Sequence, residues 1–205
     1  MKMLKRYTDS ERLTHWVVAI TFVLAALSGL AFFHPSLFFF THLFGGGPWT
    51  RILHPFVGLG MFMSFALMAK HHWHDNAMTD SDRQWRKLAP ELLKGRHPQM
   101  PPAGKFNGGQ KVLFWVLVLS MGVLLITGLV IWRPWLAPLF PIDALRVGVL
   151  LHAVGAAVLV LMVIGHIYMG IWTKGSIRAM TRGKVPETWA KLHHAAWHRE
   201  MTQGK

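Results

Sequence analysis

The sequence predicts an all-α membrane protein, a bundle of four transmembrane helices, and three observations carry that expectation. Its apolar residues fall in four long uncharged blocks. Its lysines and arginines crowd onto one set of loops. Histidines stand inside the apolar blocks, where a polar side chain is costly.

The blocks come first. Of 205 residues 52% are hydrophobic and only 15% charged, against about 25% charged in a soluble domain. A helix crossing ~30 Å of hydrocarbon needs roughly 20 mostly apolar residues. Stretches of that length run over about residues 14–33, 52–73, 112–132 and 147–173. Leu, Val, Ile, Phe and Met surround every face of them, as lipid-embedded helices require. The second is apolar only to Ala69, so His71, His72 and Trp73 are expected to finish it at the interface. A cleaved leader fits the first block poorly, because Asp9 and Glu11 interrupt its basic region. The whole chain, 1–205, reads as a single membrane domain with an inner loop at 74–111 and a tail at 174–205.

Basic residues set the orientation. With four spans, both termini and the loop at 74–111 share one side, and that side holds 19 of the 22 Lys and Arg residues. Arg51, Arg133 and Arg146 alone lie on the other. The positive-inside rule then puts both termini in the cytoplasm. The formal charge of +13 is thereby a topology signal and an attraction to anionic lipid, and not a nucleic-acid footprint. The outer loops, Pro35–Trp49 and Arg133–Arg146, are apolar and rich in Pro and Gly, expected to fold back on the bundle or meet a partner. In the inner loop, Trp85–Leu93 suggests a short interfacial helix. His97–Lys111 reads as irregular backbone.

With no cysteine in the chain, disulfides, Cys-ligated iron–sulfur clusters and thioether-linked haem are excluded. A redox centre would rest on histidine. His15, His54, His152 and His166 lie within or at the edge of the blocks. His152 and His166 are 14 residues apart, close to one helix face with a rise of about 21 Å. That spacing suits two flat cofactors held at different depths, each taking a second axial imidazole from another helix. Matching depths gives an outer pair, His54 with His152, and an inner pair, His15 with His166, hence two haem b groups. A competing arrangement replaces His15 by His72, which lies 18 residues after His54 on the same face. The remaining histidines are expected to be solvated or lipid-facing. Gly29, Gly58, Gly128, Gly155, Gly165 and Gly170 leave room for a porphyrin or a closely approaching helix.

Four segments carry a resemblance: RYTDSERLTHW (Arg6–Trp16), HPFVGLGMF (His54–Phe62), KFNGGQK (Lys105–Lys111) and LLHAVGAAVLVLMVIGHIYMGIW (Leu150–Trp172). Over nearly its whole length the chain resembles the gamma subunit, a dihaem cytochrome b, of membrane-bound respiratory formate dehydrogenase. The resemblance implies the same two histidine pairs. It also implies a quinone site (menaquinone or ubiquinone) beside the inner haem, at Asn107, Gly108, Gln110 and His166. An iron–sulfur beta subunit, a molybdenum or tungsten catalytic alpha subunit and a higher oligomer of the heterotrimer in the bacterial inner membrane are its expected partners. Other expected possibilities are a cytochrome b serving a hydrogenase or another periplasmic dehydrogenase, a haem-free histidine proton relay, and a plain membrane anchor.

Overall fold

A computed structural model describes residues 2–96, 99–133 and 135–203, so His97, Pro134 and the end of the tail lie outside the described residues. Among the described residues, four helices are long and apolar enough to cross a membrane: α1 (Asp9–Phe33), α2 (Gly47–His71), α4 (Gly108–Val130) and α5 (Ile142–Trp172). Between α2 and α4 lies α3 (Asp80–Leu93), and after α5 come α6 (Ser176–Arg182), α7 (Glu187–His193) and α8 (Ala195–Gln203). The outer face of the spans is carpeted by exposed Leu13, Ile20, Leu67, Leu119, Leu161 and Ile164. In water such a surface would be untenable, and in hydrocarbon it needs no cover.

All four spans begin four or five residues earlier than the apolar pattern suggests, and in three of them a local reason is visible. Thr8 caps α1: Glu11 Oε2 accepts from the Thr8 amide (2.6 Å) and hydroxyl (2.8 Å), while the Glu11 amide donates to Thr8 Oγ1. This reciprocal box makes a polar first turn helical from Asp9. In α2 the left-handed Gly45 (φ 85°) and Gly46 (φ 98°) turn the chain into the helix, and the buried Thr50 hydroxyl donates to the Gly46 carbonyl. In α4 the start is set by Asn107, described below. The outer loop before α2 is a 3-10 helix (Pro35–Phe44) capped by the His34 side chain, which accepts from the Ser36 amide. The interfacial helix expected at Trp85 is present as α3 and begins five residues earlier, because Thr79 and Asp82 form a second capping box.

Two compact units are distinguishable. One comprises Leu13–Met68 and Val116–Gly165, the middles of the four long helices. The other comprises Met1–Arg12, Ala69–Trp115 and His166–Lys205. In this second unit the chain's two ends are sewn together: β1 (Met3–Lys5) pairs antiparallel with β2 (Lys184–Pro186), Leu4 opposite Val185. Leu4, Tyr7, Ala179, Val185, Ala190 and Trp197 form the core beneath. Arg6 is buried in it, its guanidinium 5.1 Å from the Trp189 ring and 4.8 Å from that of Trp197. It donates to the Lys105 carbonyl (2.6 Å) and reaches His194 Nε2 at 3.1 Å, while His194 Nδ1 meets the Gly104 carbonyl at 2.7 Å.

His194 therefore departs from the solvated role expected of a tail histidine; it is 2% exposed. Its Nε2 must accept from Arg6 while Nδ1–H donates, so the imidazole is neutral. Burial, and then the Arg6 charge, push it down to about 4, from ~6.5 when unperturbed. A depressed histidine contributes stability that is complete above the unfolded value and lost as the pH falls through the folded one. Hydrogen exchange at residues 3–5 and 184–186, corrected for intrinsic rates, is expected to accelerate as the pH falls from about 6.5 to about 4. Replacing His194 with Gln should flatten that dependence; full protection at pH 4 in the unsubstituted protein would refute it.

Candidate functional site

In the unit formed by the helix middles, His54 of α2 and His152 of α5 face one another with ring centres 6.3 Å apart and planes at 77°. Both are half-buried. Each is held by a hydroxyl on a neighbouring helix. Ser28 Oγ of α1 lies 2.8 Å from His54 Nδ1, and Thr127 Oγ1 of α4 lies 2.9 Å from His152 Nδ1. The hydroxyl protons are committed elsewhere, since Ser28 donates to the Leu24 carbonyl (2.8 Å) and Thr127 to the Val123 carbonyl (2.6 Å). Each oxygen is then left to accept, and each imidazole must carry its proton on Nδ1. Both Nε2 lone pairs remain for a third group.

A glycine follows each hydroxyl. A methyl group on Gly29 would come within 3.2 Å of His54 Cε1, and one on Gly128 within 3.3 Å of His152 Cε1. The dipeptides Ser28–Gly29 and Thr127–Gly128 are thus two copies of one imidazole seat. The other glycines singled out by the sequence differ: Gly155 packs against Val123 and Leu124, and a methyl at Gly58, Gly165 or Gly170 would meet none of the described residues.

Two imidazoles so arranged match a shared iron. Ligating nitrogens sit about 2 Å from a metal, and with ~1.1 Å from nitrogen to ring centre on each side the centres fall about 6 Å apart. Donor chemistry, tautomer and spacing are those of two histidines that would hold a haem iron. The other two predicted ligands belong to different units. His15 of α1 is half-buried in the first, its ring edge-on to Trp16 at 5.5 Å, and His166 of α5 is exposed in the second. His72, expected at the interface, is buried at 8% exposure, covered by Tyr7 (6.4 Å) and Phe106 (5.5 Å).

Asn107 and Gln110 form a reciprocal cap on α4. The Gln110 amide donates to Asn107 Oδ1 at 2.9 Å, and the Asn107 amide to Gln110 Oε1 at 3.0 Å. Both side-chain carbonyl oxygens are thus used in the cap. Gly108 and Gly109 are the first helical residues of α4 and not the irregular backbone expected at the end of the loop. A methyl on them would meet the Trp85 ring at 3.0 and 2.7 Å, so close approach there is made by α3. Behind that turn the Lys111 ammonium and Asp82 carboxylate form a buried pair at 2.7 Å. Burial alone would raise the Asp82 carboxyl, but Lys111 and Thr79 hold it below the usual range.

Residues 6–183 match the family described as prokaryotic cytochrome b561. The chain belongs to the prokaryotic cytochrome b561 family. It is 41% identical over 196 residues to the formate dehydrogenase cytochrome b556(fdo) subunit of Escherichia coli, covering 96% of this chain and 92% of that one. To the nitrate-inducible formate dehydrogenase cytochrome b556(Fdn) subunit of the same organism it is 41% identical over 204 residues, 100% and 94% of the two chains. A formate dehydrogenase cytochrome b556 subunit of Haemophilus influenzae is 40% identical over 200 residues, 98% and 84%. Membership, with four apolar helices, makes this a multi-pass protein of the inner membrane and implies a b-type haem.

Loss of an outer partner to a metal-bound histidine costs about 10–100-fold in affinity. Ser28→Ala and Thr127→Val should each lower haem retention within that range, and Gly128→Leu should abolish it at the His54–His152 seat. Haem content per purified chain checks this; wild-type content in all three would sink the assignment.

Proposed function

We propose that this protein is the cytochrome b subunit of a respiratory formate dehydrogenase complex, delivering electrons from an iron–sulfur subunit to a membrane quinone. The observation that carries the reading is the His54–His152 pair, two imidazoles set 6.3 Å apart with both Nδ1 atoms tied and both Nε2 atoms open. Identity of about 41% with formate dehydrogenase cytochrome b556 subunits supports the choice of complex. A hydrogenase cytochrome b or another dehydrogenase partner is the alternative within electron transfer.

In this reading His54 and His152 hold the outer haem b, and His15 and His166 the inner one. The second pair rests on matched depth along the sequence. Bound there, haem supplies reversible one-electron transfer. The chain's own residues do the rest. Ser28 and Thr127 fix the tautomer and aim of the imidazoles. The hydrocarbon around them keeps water from the outer site. On the cytoplasmic side, the first turn of α4 with His166 receives the quinone. Asn107 Oδ1 and Gln110 Oε1 are spent on the helix cap, so their NH2 groups are the donors offered to a quinone oxygen. Gly108 keeps that turn narrow and seated on Trp85. The partners are an iron–sulfur beta subunit and a molybdenum or tungsten alpha subunit in a higher oligomer of the heterotrimer.

A dithionite-reduced minus oxidised spectrum of the purified complex should give two low-spin b haems per chain. His54→Ala should remove one and His166→Ala the other. A single haem lost from neither variant would refute the pairing. Removing one hydrogen bond costs about 1 kcal/mol, so Asn107→Ala should keep both haems and slow quinone reduction about five- to tenfold. Unchanged quinone kinetics would exclude that role.

A further inference from the structure

Among the described residues, one group of three histidine and carboxylate donors converges outside the haem seats: Glu11, His71 and His72, whose ligand atoms lie within 4.8 Å of one another. Glu11 Oε1 is 3.1 Å from His71 Nε2 and 3.8 Å from His72 Nε2. Ligands about 2 Å from a tetrahedral zinc ion stand ~3.4 Å apart, so these distances need little adjustment.

The surroundings prepare each donor. Glu11 divides its oxygens: Oε2 is occupied by the Thr8 amide and hydroxyl in the cap of α1, which leaves Oε1 turned toward the histidines. His72 is clamped edge-on against Tyr7 and Phe106. Its Nδ1 lies 3.6 Å from Asp75 Oδ2, beyond hydrogen-bond distance. His71 closes the group from the exposed side, its ring 4.8 Å from that of His72.

One charge opposes a cation here. The Lys105 ammonium lies 3.3 Å from Glu11 Oε1 and also 3.0 Å from Asp75 Oδ2. Because Asp75 is a second partner, Lys105 can release Glu11 without losing its only counter-charge.

We propose that Glu11, His71 and His72 form a binding site for a divalent transition cation of the zinc type, with three protein ligands, an open fourth position and Lys105 as its built-in competitor. The site is independent of the haem and quinone reading. It stands two residues before Asn107 in the chain through Lys105, so cation binding exchanges an ion pair at the entrance to α4 for a metal bond.

The test is equilibrium dialysis of the purified full-length complex against zinc chloride, with metal per chain measured by mass spectrometry. Haem spectra serve as the control for folding. The unsubstituted protein should bind one saturable zinc that is lost or weakened at least tenfold in Glu11→Gln and in the His71→Ala/His72→Gln double variant. Lys105→Met should bind it several-fold more tightly, an outcome a purely structural ion-pair cluster would not give. Equal binding by the unsubstituted and double-variant proteins, or weaker binding by Lys105→Met with intact haem spectra, would overturn the site. A Lys105→Met chain that loses its haems would shift the decision to Lys105→Gln, read in the same way.

Discussion

A hydroxyl on a transmembrane helix has no water to donate to, so its proton goes to the backbone carbonyl one turn back. That constraint underlies the candidate haem seat. Ser28 and Thr127 each donate along their own helix, which leaves only their lone pairs for the outside world. A histidine meeting such an oxygen must present N–H, and its second nitrogen is thereby open. A glycine next to the hydroxyl lets the ring come close enough for the exchange. Four helices are required: two bring imidazoles and two bring hydroxyl–glycine seats.

The polar unit follows a different logic. Its residues come from both chain ends, the inner loop and the start of the tail, and they are joined by buried charge. Arg6 lies between two tryptophans and satisfies a carbonyl of the inner loop and a tail histidine. Lys111 and Asp82 tie α4 to α3 in the same unit. Breaking one partner of a buried pair costs about 3–5 kcal/mol, so these links hold the first turn of α4 in one arrangement. The Asn107–Gln110 cap inherits its position from them.

The four spans were legible because twenty apolar residues in a row leave little choice of structure. Their ends were less so. The Thr8–Glu11 and Asn107–Gln110 boxes are short polar motifs, present in the sequence as Thr-x-x-Glu and Asn-x-x-Gln, and they extend helices into stretches that hydropathy alone treats as loop. His54 and His152 were legible as an outer pair from depth, and the structure brings their rings together. Ser28 and Thr127 were overlooked, although a hydroxyl followed by glycine inside an apolar run was the available signal. The sequence places His72 at the interface and His194 in solvent, because their sequence neighbours are polar. Their cover comes from residues far along the chain, Tyr7 and Phe106 for the one, Arg6 and Gly104 for the other. Local composition carries no trace of that.

The pairing of Met3–Lys5 with Lys184–Pro186 bears on how the protein is made. The first strand is synthesised before any of the four spans and its partner only after the fourth. Until then Leu4 has no Val185 to lie against and the Arg6 guanidinium has no tryptophans beneath it. Completion of this small sheet therefore reports that every span has been threaded and that the last one ends on the same side as the first. A chain inserted with its last span missing leaves the Arg6 guanidinium uncovered and the edge of the first strand open.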